Sequence, residues 1–158
     1  MADNYLQFSA SLDIAKASEK KWLERYLPLF DCECDGAPEL LKSLARDAEM
    51  CGAYEGYKTI KQLVTDECCQ SWSIGVGDPE YVWFYAEESG TPEMVLALVN
   101  IFMAHFKKKG YFELTWSCTC SKLRIDEFGG GAGFACRRGF ELKAESWWVP
   151  EAAKAMQG

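Results

Sequence analysis

The segment from Tyr111 to Cys120 alternates strictly between apolar and polar side chains, and it constrains the fold more than any other part of the chain. Apolar residues occupy its even positions, beginning at Phe112. A period of two places the two sets on opposite faces of a β-strand, so this segment predicts a strand with one buried face. Residues 5–12 also alternate strictly, and further strands are predicted at 71–77, 81–87 and 132–137, with a short one at 140–144.

The best-marked helix follows Thr91, a favourable N-cap residue, with Pro92 at its first position. Three lysines complement its C-terminal dipole, and Gly110 is expected to end it. Its apolar residues go most of the way round, which predicts a largely buried helix. Further helices are predicted at about residues 18–27, 38–51 and 146–156, whereas residues 54–69 show no decisive pattern.

This order of elements predicts an α+β fold. We expect an antiparallel sheet of four to six strands with the helices mainly on one face. The βαββαβ portion is close to the split-βαβ, or ferredoxin-like, topology. The length of 158 residues predicts one domain, residues 1–158.

The charge distribution bears on partners. The net charge is −7, and the window from Gln62 to Phe106 holds seven acidic residues and no Lys or Arg. Phosphate backbones bind basic surfaces, so direct nucleic-acid binding is not expected. The window instead predicts an acidic surface suited to a basic partner protein.

Other features of the sequence predict the cellular compartment and the absence of a cofactor. No apolar run approaches the roughly 18 residues of a membrane span, and no secretory signal precedes the first strand. We therefore expect a cytoplasmic protein whose eight cysteines are thiols. No catalytic residue and no cofactor is predicted, since the single histidine, His105, has no evident nucleophile partner.

Two Cys-x-Cys pairs offer a zinc site as a weak alternative. The candidate ligands are Cys32, Cys34, Cys118 and Cys120. Structural zinc sites usually place two to four residues between paired ligands, and here there is one. The second pair also lies on the apolar face of the predicted strand, which favours core packing.

The segment Lys122–Gly133 joins converging charges to a glycine tract. Its glycines could hold a phosphate beside Lys122 and Arg124, which gives the alternative function of a small-anion or nucleotide-binding protein or enzyme. The glycines precede a predicted strand and not a helix, unlike a P-loop, so a flexible connection is the competing interpretation.

The predicted strand at 81–87 carries three large aromatic residues, Tyr81, Trp83 and Tyr85, on one face. Its other face can fill the core. The aromatics either pack beneath another element or, if exposed beside acidic residues, form a protein-binding surface.

Two motifs carry a resemblance to known proteins: Trp83-Phe84-Tyr85-Ala86-Glu87-Glu88-Ser89-Gly90, and Cys120-Ser121-Lys122-Leu123-Arg124-Ile125-Asp126-Glu127-Phe128-Gly129-Gly130-Gly131-Ala132. They resemble a group of small, acidic, uncharacterised proteins encoded by bacteriophages and plasmids. The resemblance covers mainly residues 81–136 and implies no catalytic or binding residue. It implies a setting, a mobile-element protein acting inside a bacterium.

These observations together predict a non-enzymatic protein-binding module. By analogy with its setting, it would inhibit a bacterial defence nuclease complex, such as a CRISPR effector, by placing an acidic surface on a basic host protein. The predicted contact residues are Glu80, Tyr81, Trp83, Tyr85, Glu87, Glu88, Lys122, Arg124, Glu127 and Phe128.

Overall fold

The computed structural model describes residues 4–31, 37–64, 71–87, 89–120, 129–143 and 149–157. The strands are β1 (Asn4–Ile14), β2 (Ser71–Gly75), β3 (Glu80–Ala86), β4 (Phe112–Cys120), β5 (Gly129–Cys136) and β6 (Gly139–Lys143). The helices are α1 (Ala17–Tyr26), α2 (Ala37–Cys51), α3 (Tyr54–Leu63), α4 (Pro92–His105) and α5 (Val149–Gln157). A short 3-10 helix, Leu27–Phe30, follows α1.

The strands form one six-stranded sheet in the order β2-β3-β1-β4-β5-β6, and every neighbouring pair is antiparallel. Helices connect β1 to β2 and β3 to β4, and in each case one strand lies between the two connected strands. This is the split-βαβ arrangement, extended by β5 and β6 beyond β4. The predicted α+β fold is confirmed.

One face of the sheet is covered by α4, whose residues from Met94 to Ala104 are all buried. The even positions of β1, β3 and β4, such as Phe8, Phe84 and Leu114, join α4 in the main core. Helices α2 and α3 pack on the other side of α4. Because both sides of α4 are covered, its all-round apolar sequence is satisfied, as predicted. It ends at His105, earlier than the predicted Gly110.

Helix α5 lies on the opposite face of the sheet. Val149 and Ala153 of α5 pack with Ala132, Phe134 and Cys136 of β5 in a second apolar cluster. The alternate residues of β5, including Ala135, belong to the main core. Strand β5 is therefore buried on both faces, and α5 is the exception to helices lying mainly on one face.

The glycine tract lies within β5 itself, so its interpretation as a connection before the strand was wrong for Gly129–Gly131, whereas Gly133 lay in the predicted strand. Residues 129–135 pair with β4, and residues 132–136 pair with β6. A Cβ atom at Gly133 would collide with Leu96 of α4, and one at Gly131 would overlap the Trp116 indole. The glycines let the helix and the neighbouring side chain approach the strand closely.

Helix α3 occupies much of the stretch that showed no decisive pattern. Gly56 of α3 faces α4, where a Cβ atom would lie 2.9 Å from the carbonyl oxygen of Ala97 and from Oδ1 of Asn100. The same Asn100, although buried, donates a 2.8 Å hydrogen bond to the Cys136 carbonyl. Gly56 therefore allows α3 to pack closely against α4.

Polar groups connect the helices beneath the sheet. The buried Glu19 carboxylate of α1 forms a 2.7 Å ion pair with Lys108, beyond the end of α4. The Tyr26 hydroxyl donates a 2.7 Å hydrogen bond to Asp47 of α2 and lies 2.9 Å from Ser43. Burial raises the pKa of Tyr26 to about 12; the Asp47 carboxylate adds to this effect and Ser43 opposes it.

None of the described helices combines the length and apolar character that a bilayer crossing requires.

Candidate functional site

The sheet face opposite α4 is exposed over β1, β3 and β4, beyond the part covered by α5. We call it the open face and define it by Gln7, Ser9, Ser11, Asp13, Tyr81, Trp83, Tyr85, Glu113, Thr115 and Ser117. Of its aromatic side chains, Tyr81 is 37% exposed and Trp83 is 39% exposed. The structure therefore places the predicted aromatic residues on an exposed sheet surface and not beneath a described element.

Trp83 and Tyr85 form a stacked pair, with ring centroids 4.1 Å apart and an interplanar angle of 27°. The register pairs Trp83 with Ser11, but the indole Nε1 donates a 2.8 Å hydrogen bond to Oγ of Ser9, which is paired with Tyr85. The indole thus leans along the strand toward Tyr85, a diagonal contact within reach of a large side chain. The hydrogen bond and the stack hold the aromatic pair in a defined orientation.

Tyr81 lies apart from this pair, across the neighbouring edge strand. It is paired with Gly75 of β2, and a Cβ atom at Gly75 would overlap the Tyr81 ring. The ring therefore covers the backbone of β2 where a side chain is missing. On its other side, Tyr81 is paired with Asp13 of β1.

A hollow of about 420 Å³ opens beside the stacked pair. Its lining spans three adjacent strands and includes Gln7, Ser9, Trp83, Tyr85, Glu87 and Ser117. Because Gln7 is paired with Ser117 and Ser9 with Tyr85, the register itself brings these side chains together. The hollow combines two aromatic rings, a carboxylate and several hydrogen-bonding groups.

The charge of the open face is acidic. Strands β1 to β5 contain no Lys or Arg, and the sheet's single cation, Lys143, lies in β6. Asp13 and Glu113 are exposed on the open face, and Glu87 lies at the hollow. A bound anion would meet these carboxylates with no cation from the strands to offset them.

The predicted acidic contact residues do not lie together. Glu80 lies two residues before the buried Val82, so both side chains point to the helix side of the sheet. There Glu80 forms a 2.7 Å ion pair with Lys20 of α1. Glu87 is exposed and lines the hollow, whereas Glu88 lies outside the described residues. Of the predicted acids that the structure describes, only Glu87 accompanies the aromatic residues.

The predicted glycine segment is described only in part. Lys122, Arg124, Glu127 and Phe128 lie outside the described residues. The glycines from Gly129 to Gly133 are strand residues, and β5 is paired on both edges. Most of their backbone groups are therefore committed to the sheet and not presented to a ligand.

The weak zinc alternative falls largely outside the described residues. Cys32 and Cys34 are not described, nor is the side chain of Cys120, while Cys118 is a half-buried thiol. Among the described residues, no group of three or more His, Cys, Asp or Glu side chains is arranged to hold a metal ion. His105 is exposed and stacks on Trp22 with ring centroids 5.9 Å apart.

Sequence reasoning missed the polar part of the open face. The alternation puts Gln7, Ser9 and Ser117 on the polar side of their strands, but it does not identify them as neighbours of Trp83 and Tyr85. Their proximity depends on the pairing of β1 with both β3 and β4. That pairing follows from the split-βαβ topology, which is the signal that could have found them.

No protein-family model, no curated protein and no solved structure matches this chain, so its site is interpreted from its own geometry.

Proposed function

We propose that this chain is a non-enzymatic protein-binding module that contacts its partner through the open face. The observation that carries the proposal is the stacked pair formed by Trp83, which is 39% exposed, and the half-buried Tyr85. Contiguous apolar patches on a protein surface often mark interaction sites, and tryptophan and tyrosine recur at the centres of protein interfaces.

The geometry suits binding without a large ordering cost. The Trp83 indole is already oriented by Ser9 and by the Tyr85 ring. Fixing interface side chains costs conformational entropy and weakens association. Aromatic side chains that are already rigid reduce this cost. The surrounding serines and glutamine supply a polar rim that can form hydrogen bonds with the partner.

The partner of this proposal is a host protein with a basic surface. Carboxylates on the open face would attract it and speed association, an effect that added salt screens. The resemblance to phage and plasmid proteins supplies the setting: the bacterial cytoplasm, with a defence nuclease complex such as a CRISPR effector as the target. Nucleic-acid channels are basic, which suits an acidic inhibitor.

Nucleic acid itself is a less suitable ligand. Some RNA-binding domains stack bases on aromatics of a four-stranded sheet, and the arrangement here is similar in outline. Those domains also attract phosphates with Lys or Arg, which β1 to β5 lack. The same aromatic platform with acidic neighbours favours a protein partner.

The test compares variants in a pull-down from bacterial lysate with mass spectrometry. Trp83→Ala should lose the specific partner that the wild-type chain captures, because it removes the centre of the stack. Met50→Ala is the matched control, since Met50 is 86% exposed on α2, away from the open face. Equal capture by wild type and Trp83→Ala would contradict the proposal.

The inhibitor form of the proposal has its own measurement. The partner identified by capture is purified, and its nuclease activity is measured with added wild-type or Trp83→Ala chain. Wild type should reduce activity and the variant should not. A captured partner without nuclease activity would refute the defence setting while leaving the binding module in place.

A further inference from the structure

We propose that the hollow beside Trp83 and Tyr85 receives an arginine side chain of the partner. The inference rests on the proposed function and names the chemistry that the open face recognises. It is carried by three features that meet in the same hollow: the aromatic pair, the Glu87 carboxylate and acceptor groups from two other strands.

The aromatic pair offers a surface for a cation. The π-face of tryptophan is the best partner for a cation among the aromatic residues, and a guanidinium can also lie flat against it. Trp83 keeps 39% of its surface exposed while its Nε1–H is engaged by Ser9. Its ring is thus fixed in orientation and still accessible.

The polar lining supplies acceptors. Glu87 contributes a carboxylate, and Gln7 and Ser117 contribute oxygens from β1 and β4. An arginine carries five N–H donors in a planar fork, so it can address acceptors in several directions at once. A lysine ammonium is a compact charge without a flat surface, and it would use the same hollow less fully.

Among the described residues, charge complementarity favours a cation over other occupants. No described Lys or Arg lines the hollow, and none occurs in β1 to β5. An acidic or phosphorylated ligand would therefore face Glu87 with no cation from these strands. A purely apolar side chain would remove water from the carboxylate without replacing its hydrogen bonds.

The experiment titrates the ¹⁵N-labelled full chain with short peptides of alternating Ser and Arg, and follows the indole N–H signals by NMR. A Trp83→Phe variant assigns the Trp83 signal. We expect the arginine peptide to shift that signal, and a peptide with neutral citrulline at each arginine position to leave it unchanged. A lysine peptide should bind more weakly, by roughly 2- to 30-fold.

A pair of variants tests the carboxylate. Glu87→Gln should weaken binding of the arginine peptide by up to about fivefold, with the larger loss at low salt. Glu80→Gln is the control, because Glu80 is paired with Lys20 on the helix side. It should leave the affinity unchanged.

Three results would overturn the inference. The first is an equal shift of the Trp83 signal with the arginine and citrulline peptides, and the second is no shift with the arginine peptide in a folded sample. The third is a Trp83 shift produced instead by a single-stranded oligothymidine. The two proposals can fail separately. If Trp83→Ala loses the partner in the pull-down but the arginine peptide does not bind, the proposed binding module is supported and the arginine inference is refuted.

Discussion

The two faces of the sheet share the same strands but differ in what lies against them. On the helix face, neighbouring even positions such as Val82 and Phe84 are fully buried against the core. On the open face, the odd-numbered residues Tyr81 and Trp83 of the same strand are more than one-third exposed. Residues that are adjacent in sequence therefore have different physical reasons for being apolar.

The difference separates packing from recognition. A buried aromatic stabilises the fold through the surface that it removes from water, so its presence needs no function. The stacked pair of Trp83 and Tyr85 removes less of its surface from water, since Trp83 stays 39% exposed and Tyr85 is only half-buried. The open face is thus the part of the sheet that folding alone does not explain, and the predictions below test that division.

The largest expected effect compares two adjacent residues of β3. Phe84→Ala should lower the free energy of unfolding by about 3–5 kcal/mol, because it leaves a cavity in the core. Trp83→Ala should cost only about 1 kcal/mol, the value of an aromatic contact at a partly exposed site. Urea denaturation measures both. Similar losses for the two variants would mean that Trp83 is part of the core and that the faces do not differ.

The fold could be predicted because its signals are local. The alternation of β1, β3 and β4 identifies their buried faces, and the cap and apolar content of α4 identify a buried helix. The sequence predictions were wrong where contacts between distant parts of the chain determine the local structure. Gly131 belongs to a tract that suggests a connection in the sequence, but it lies in β5, where the missing side chain permits close contact with Trp116. No local pattern in the sequence distinguishes a glycine loop from glycines in a closely packed strand.

The second prediction addresses such a close contact on the helix face. Gly133→Ala should destabilise the protein by about 1–3 kcal/mol, since the new methyl group would collide with Leu96 and lie 2.7 Å from the Glu141 carbonyl oxygen. The control is Gly139→Ala, where the nearest atom is the flexible Met156 sulfur at 3.0 Å. It should change stability by less than about 0.5 kcal/mol. Thermal and urea unfolding give both values.

The third prediction concerns a polar network on the helix side, around Tyr26. Its pKa of about 12 in the folded protein exceeds the ordinary value of 10.0, so the folded state holds this proton more tightly. The resulting stability is complete below about pH 10 and is lost as the pH rises toward 12, with a slope of up to about 1.4 kcal/mol per pH unit.

Tyr26→Phe isolates this contribution, because all other titrating groups are common to both proteins. At neutral pH the variant should be less stable by about 1–2 kcal/mol, since Asp47 and Ser43 lose a partner. The difference between the two proteins should shrink above about pH 10. Unfolding free energies measured at rising pH provide the test. A constant difference would show that the Tyr26 proton is held no more tightly in the folded protein.

The candidate site was only partly predictable for a geometric reason. The aromatic stripe of β3 is visible in the sequence, because period two places its members on one face. The neighbours of that stripe come from other strands, and one residue close to it in sequence does not lie beside it in the fold. Glu80 adjoins Tyr81 in the chain, yet the same period of two directs it to the helix side, where it meets Lys20.

The smallest expected effect follows from this placement of Glu80. Glu80→Gln removes one charge of a partly exposed ion pair, and such pairs contribute about 0–1 kcal/mol. It should leave partner binding unchanged, because its side chain lies across the sheet from Trp83. Glu87→Gln carries the same chemical change on the open face and should weaken binding with little effect on stability. Measuring both variants against the captured partner decides whether net charge or the position of a charge governs recognition. Equal weakening by the two substitutions would show that the partner senses the overall acidity of the protein and does not require the open face.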